Sequence, residues 1–157
     1  MESRESITCV KENVMVPIDF RPMEHNDYPG VYALWKSCQG IGLGDSDTES
    51  GIRQFLDRNP GLSCVASEGN RIVGAVLCGD DGRRGYIHHL AVRPSHRRRG
   101  IGRNLVTHCL AALAHKNIHK CHLFIFRNNQ DGTKFWQDEG WSRRDDLHVM
   151  SKFITAG

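Results

Sequence analysis

A chain of 157 residues, 39% hydrophobic and 25% charged, has the size and balance of one globular domain. No apolar run approaches the roughly 20 residues that a membrane-spanning helix needs, so a helical membrane protein is excluded. The net charge is only +3, but residues 82–130 hold ten Lys and Arg and no Asp or Glu, a band that implies an anionic partner such as nucleic acid or a phosphorylated cofactor.

The opening stretch MESRESITCVKENVM has no apolar core and no small-residue cleavage site. A flexible extension over residues 1–15 is therefore expected, ahead of a domain over 16–157. VPIDFRP (16–22) predicts a first strand, and EHNDYPGVYALWKSC (24–38) a helix that is irregular near Pro29-Gly30. QGIGLGDSD (39–47) is a Gly-rich loop, and TESGIRQFLDRNPG carries a helix stopped by Asn59-Pro60-Gly61. LSCVASEGNRIVGAVLCGD predicts a hairpin turning at Glu68-Gly69-Asn70. GYIHHLAV (85–92) is a long strand. A helix follows, because Ile101, Leu105, Cys109 and Ala112 recur at helical spacing, and it runs to about Lys116-Asn117. KCHLFIF (120–126) is a strand, NQDGTKFWQDEG a short helix ended by Gly140, and DLHVMSKF (146–153) a last strand. This order gives a mixed α/β domain around one sheet with helices on its faces. Trp35, Phe55, Phe124, Phe126 and Phe135 are expected in the core.

None of the six cysteines forms a C-x-x-C pair and most lie in apolar segments, so reduced core thiols and a cytoplasmic location are expected. HKNIHKCH (115–122) has metal-ligand residue types but spans a helix end, a turn and a strand, so no single face collects them and no metal is expected.

The densest basic run, Arg97-Arg98-Arg99-Gly100-Ile101-Gly102-Arg103, joins a strand to a helix. Helix starts present unpaired N–H groups and a positive dipole end, so this charge suits a bound polyanion, and the glycines permit close backbone approach. A Walker loop is absent, and of the dinucleotide fingerprint only Gly100-x-Gly102 is present. R-x-x-G-x-G after a strand ending in LAV resembles the acyl-CoA-binding loop of the GNAT superfamily of N-acetyltransferases. NNQDGTKFWQDEGW (128–141) is similar to that family's N-x-x-A-x-x-F-Y-x-x-x-G-F/W segment. GLSCVASEGNRIVGAVLCGDDGRRGYIHHLAV looks like a bacterial subgroup whose acceptors are unassigned.

The resemblance implies a mostly antiparallel sheet that splays open after the fourth strand. It places pantetheine along Leu90, Ala91 and Val92, pairing with backbone groups of Leu90 and Val92. The pyrophosphate would lie on the amides of Arg97, Arg98, Arg99, Gly100, Ile101 and Gly102, with Arg103 beside them. Asn128 would reach the pantetheine, and Lys134 or Trp136 the outer cofactor. The co-substrate is then acetyl-CoA, so the basic band requires no nucleic acid and no membrane surface. The acceptor is an amine on a small molecule, a peptide N-terminus or a lysine, and a homodimer is plausible.

Direct acetyl transfer needs a base for the amine, a donor to the developing oxyanion, and optionally an acid for the thiolate. The family's usual acid is the Tyr of its F-Y segment. Here Trp136 stands in that place and cannot donate a proton at a useful pKa. On an extended strand Tyr86, His88 and Leu90 share one face, and Ile87, His89 and Ala91 the other. His88 is the leading base, with Tyr86 as candidate acid. Asp45, Asp47, Glu49, Asp80 and Asp81 could hold an ammonium group, or could serve as a helix cap and a turn. Two rivals stand beside the enzyme: a non-catalytic acyl-CoA-binding domain, and a nucleic-acid module, which would expose aromatics among its arginines.

Overall fold

A computed structural model describes residues 15–156. Five strands form one sheet in chain order: β1 (Ile18–Pro22), β2 (Cys64–Glu68), β3 (Arg71–Asp80), β4 (Gly85–Val92) and β5 (Cys121–Leu123). The first three pairings are antiparallel, and β4 with β5 is parallel. The helices are α1 (Tyr28–Ser37), α2 (Glu49–Arg58), α3 (Ile101–His115) and α4 (Gln130–Asp138). Among the described residues no helix is long and apolar enough to cross a membrane. Residues 1–14, and Cys9 with them, lie outside the described range.

Two cores lie on opposite faces of the sheet. On one face Ile101, Leu105, Val106, Cys109 and Leu113 of α3 pack on Val73, Val76 and Ile87. On the other face Val31, Leu34 and Trp35 of α1 and Ile52 and Leu56 of α2 pack on Val65, Ala75 and Leu77. Of the helical series read from the sequence, Ile101, Leu105 and Cys109 are buried and Ala112 packs at the edge of this core, and Asn117 at φ 60° stops that helix. Gly74 lets α3 sit directly on the sheet, since a Cβ there would lie 2.9 Å from Ile101 and 3.0 Å from Leu105. That contact brings the start of α3 down beside the end of β4.

The β4–β5 pairing stops early. Only Gly85, Tyr86 and Ile87 of β4 face Cys121, His122 and Leu123. From His88 onward β4 has no neighbour on that side among the described residues, so the sheet is open there.

The structure corrects three expectations. β5 is three residues long, and Phe124 and Phe126 are 63% and 57% exposed, so they are not core. Residues 146–153 form no strand, because among the described residues none of their backbone groups bonds to a partner strand. Their alternation specifies a strand, but a strand exists only beside a hydrogen-bonded neighbour. The faces of β4 also differ from simple alternation. Ala91 pairs with Ala75 and His88 with Leu77, so Val76 faces both His89 and Leu90, which makes a β-bulge with His89 at φ 52°. Beyond the bulge the alternation is reversed.

Candidate active site

The bulge decides which side chains meet. His88 and His89 both lie on the α1/α2 face, and Leu90 and Val92 pack with the α3 core. His89 Nε2 donates to Asp47 Oδ1 at 2.9 Å, its ring meets the edge of Trp35 at 5.1 Å, and its carbonyl accepts from Trp35 Nε1 at 3.0 Å. Asp47 Oδ2 accepts from the Gly44 amide at 2.8 Å, so the buried carboxylate ties the Gly-rich loop to the bulge. Thr48 caps α2, its Oγ accepting from the Gly51 amide at 3.1 Å. Asp80 pairs with Lys116 and accepts from the Gly82 amide at 2.9 Å, and Asp81 accepts from the amides of Arg83 and Arg84 at 2.8 Å. Asp47 and Asp80 are thus committed to structural partners, and Asp81 holds the turn.

His88 belongs to a row of rings. It meets the edge of Phe55 at 6.1 Å and stacks parallel to Tyr86 at 6.5 Å, and Tyr86 lies 5.9 Å from His122 of β5. Burial pulls the His88 pKa below its ordinary value; His89 adds to the shift and Asp47 opposes it. The imidazole is therefore neutral near pH 7 and able to take a proton.

Backbone groups in a strand point alternately to its two sides. The Arg93 amide donates across to Val73 at 2.7 Å, so the amides of Val92 and Leu90 point into the open gap. The Val92 carbonyl is already engaged, accepting from Arg97 Nε at 3.1 Å. Ala91 and Ile101 bury their side chains and offer only backbone.

The loop after β4 has the shape of an anion cradle. Arg98 at φ 63° and Gly100 at φ 78° are left-handed, and no side chain caps α3. The first amides of α3 are left without intrahelical partners, the arrangement that receives phosphate oxygens. A Gly102 Cβ would lie 3.4 Å from Phe135, an ordinary packing distance, so the helix start also lies next to α4. Beneath the loop Glu68 accepts from buried His96 Nε2 at 2.9 Å and lies 3.8 Å from Arg99. Arg103 Nε donates to Glu139 at 2.9 Å.

The remaining candidates are less central. Asn128 is exposed, and Lys134 is exposed and 2.9 Å from Asp138. Trp136 is half-buried between Phe135 and Trp141, with centroids 5.1 Å and 5.0 Å away. The asparagine that meets the loop is Asn129, which sequence reasoning passed over. It caps α4 through the Gly132 amide at 2.9 Å and lies 2.6 Å from where a Gly40 Cβ would be. Phe126 was likewise missed, and lies 2.8 Å from a Cβ built on Gly42. The alternating glycines were the available signal: the loop crosses the open gap in contact with residues that follow β5.

Residues 28–141 match the model of the acetyltransferase (GNAT) family. This chain belongs to that family. An acetyltransferase of Pectobacterium atrosepticum is 32% identical over 112 residues, covering 71% of this chain and 79% of that protein. An acetyltransferase of Sodalis glossinidius is 27% identical over 135 residues, covering 86% and 94%. The GNAT fold is also that of the PaiA N-acetyltransferase of Thermoplasma acidophilum, solved with coenzyme A, at TM-score 0.73 and 17% identity over 83% of this chain and 93% of that one. AAC(6')-Iy, solved with a bisubstrate analogue, gives TM-score 0.70 and 17% identity over 88% and 99%. The GNAT sheet of this chain is mixed and mostly antiparallel, with helices on both faces, as the sequence implied.

Proposed function

We propose that this GNAT protein uses acetyl-CoA as co-substrate and transfers the acetyl group directly to a primary amine in a ternary complex. The observation that carries the reading is the junction of an open strand edge with an uncapped helix start on left-handed residues. Pantetheine pairs with the amides of Leu90 and Val92, and the pyrophosphate lies on the loop from Arg97 to Gly102. Arg98 and Arg103 supply charge, and α4 with Asn128, Lys134 and Trp136 borders the outer cofactor. The domain is assigned to residues 16–157.

The amine nitrogen attacks the thioester carbonyl carbon; the C–N bond forms, the C–S bond breaks, and CoA leaves as thiolate. The oxygen charge developed on the way is met by a backbone N–H of β4 near Val92 that pantetheine does not use. The amine proton passes to His88 through water. Tyr86, stacked on His88, is the candidate donor to the thiolate, since Trp136 has no acidic proton to give.

The indole at 136 favours one second reading, a domain that binds acyl-CoA without turnover. Thermal unfolding with acetyl-CoA, CoA, ATP and a short DNA duplex, followed by an amine-dependent assay of CoA release, separates the readings. A ligand at about 100 times its Kd adds roughly 2.7 kcal/mol. Stabilisation by acetyl-CoA and CoA with amine turnover supports the enzyme, and stabilisation without turnover supports the binding domain. A shift with DNA alone overturns both.

The thiols fit a cytoplasmic setting, since burial pushes Cys64 up to about 11 and Cys121 up to about 12, and neither is reactive at neutral pH. We further assign the assembly as a homodimer, on the exposed apolar side chains of Leu147, Val149, Met150, Phe153 and Ile154 and the outer edge of β5, which is unpaired among the described residues.

A further inference from the structure

The N-acetyltransferase reading leaves the amine unidentified, and the walls of the gap restrict it. A polycationic acceptor would need several carboxylates free to pair with its ammonium groups. Here both Asp47 oxygens are engaged by His89 and Gly44, and both Asp80 oxygens by Lys116 and Gly82. Asp81 holds its turn, and Glu49 lies 3.2 Å from Arg53. Among the described residues of the covering loop only Asp45 keeps a carboxylate without a partner, and it is exposed. One carboxylate suits one ammonium.

What the gap offers in quantity is aromatic surface. Phe55, His88, Tyr86 and His122 stand in one row across α2, β4 and β5. Phe126 lies against Gly42 of the Gly-rich loop, and Phe124 comes two residues after His122, just past the end of β5. These two phenylalanines expose more than half their surface, although a soluble chain gains by burying such rings. The β4–β5 register ends at Ile87 with Leu123, so His88 and Phe124 are the next residues on the two sides where the sheet opens, and Phe126 borders the Gly-rich loop.

We propose, resting on the N-acetyltransferase reading above, that the acceptor is a small primary monoamine carrying an aryl group, its ring packed against Phe124 and Phe126 and its nitrogen delivered to His88. Aromatic contacts of this kind also orient the amine, because offset and edge-on geometries are preferred over others.

The test compares 2-phenylethylamine, 1,5-diaminopentane, Nα-acetyl-lysine and a tripeptide with N-terminal Phe at fixed acetyl-CoA, reading CoA release. Thermal unfolding with CoA runs alongside. The aryl amine is expected to exceed each of the others by about tenfold or more in kcat/KM. Phe124→Ala with Phe126→Ala is expected to raise its KM about tenfold, at unchanged KM for acetyl-CoA and unchanged unfolding temperature, and Phe126→Leu should restore part of the loss. Equal or better turnover of the diamine, the lysine or the peptide overturns this inference and leaves the N-acetyltransferase reading intact. So does an unchanged KM in the double variant. If CoA stabilises the protein and no amine is turned over, both fall.

Discussion

His88 is the residue whose behaviour depends most on its neighbours. Its pKa is lowered first by burial and then by His89, so its protonation limb should lie below the ordinary 6.5. We expect kcat to fall on the acid side of that limb, and His88→Gln to remove the limb and lower kcat by about 10²–10⁴ with little change in KM for acetyl-CoA. A pH–rate profile of both proteins checks this; an acid limb that survives in the variant assigns the base elsewhere. Stability follows the same sign. A histidine with a depressed folded pKa is protonated more readily in the unfolded chain, so stability is present above about 6.5 and declines as pH falls toward the lowered value. The sequence made His88 a candidate on residue type, on its face of the strand and on the family resemblance. It could not show that His89 shares its side, because that depends on one left-handed residue in a bulge, and alternation carries no mark of a bulge.

The element with the most specific local demand is the start of α3. Gly100 has φ 78° and ψ 8°, a conformation costing an L-residue about 1–2 kcal/mol, and no side chain caps the amides that follow it. Gly100→Ala should therefore destabilise the protein by roughly that amount in urea unfolding and weaken CoA binding in calorimetry. Loss of stability without loss of CoA affinity would place the pyrophosphate off this loop. The α3 start, its apolar stripe and the β2–β3 hairpin were legible because each is written in local residues: Gly100-x-Gly102, the i, i+4 series, and Glu68-Gly69-Asn70. The covering loop was legible only as polar and Gly-rich. Its closeness to Phe126 and Asn129 joins residues more than 80 positions apart in the chain, and no local pattern encodes such a contact. KCHLFIF read as one strand for a related reason: its apolar run is continuous, but β4 turns away after Ile87 and leaves Phe124 and Phe126 without a sheet to complete.

At the scale of the whole molecule the unmatched feature is the end of the chain. Leu147, Val149, Met150, Phe153 and Ile154 are between 56% and 97% exposed, and among the described residues their segment makes no backbone hydrogen bond. Among the described residues β5 meanwhile pairs only with β4 and presents its other edge unpaired. One chain thus carries both a strand-like segment lacking an edge and an edge lacking a strand, and two copies related by a two-fold axis satisfy both at once. Just ahead of this segment Arg144 pairs with Asp146 at 2.8 Å, both side chains exposed. Light scattering on the full chain should give twice the mass of one subunit. Val149→Lys with Phe153→Lys should give one subunit, because two charges on the alternating apolar face cannot be buried without partners. A monomeric full chain would overturn the assignment. A doubly substituted chain that stayed dimeric would place the interface on another surface.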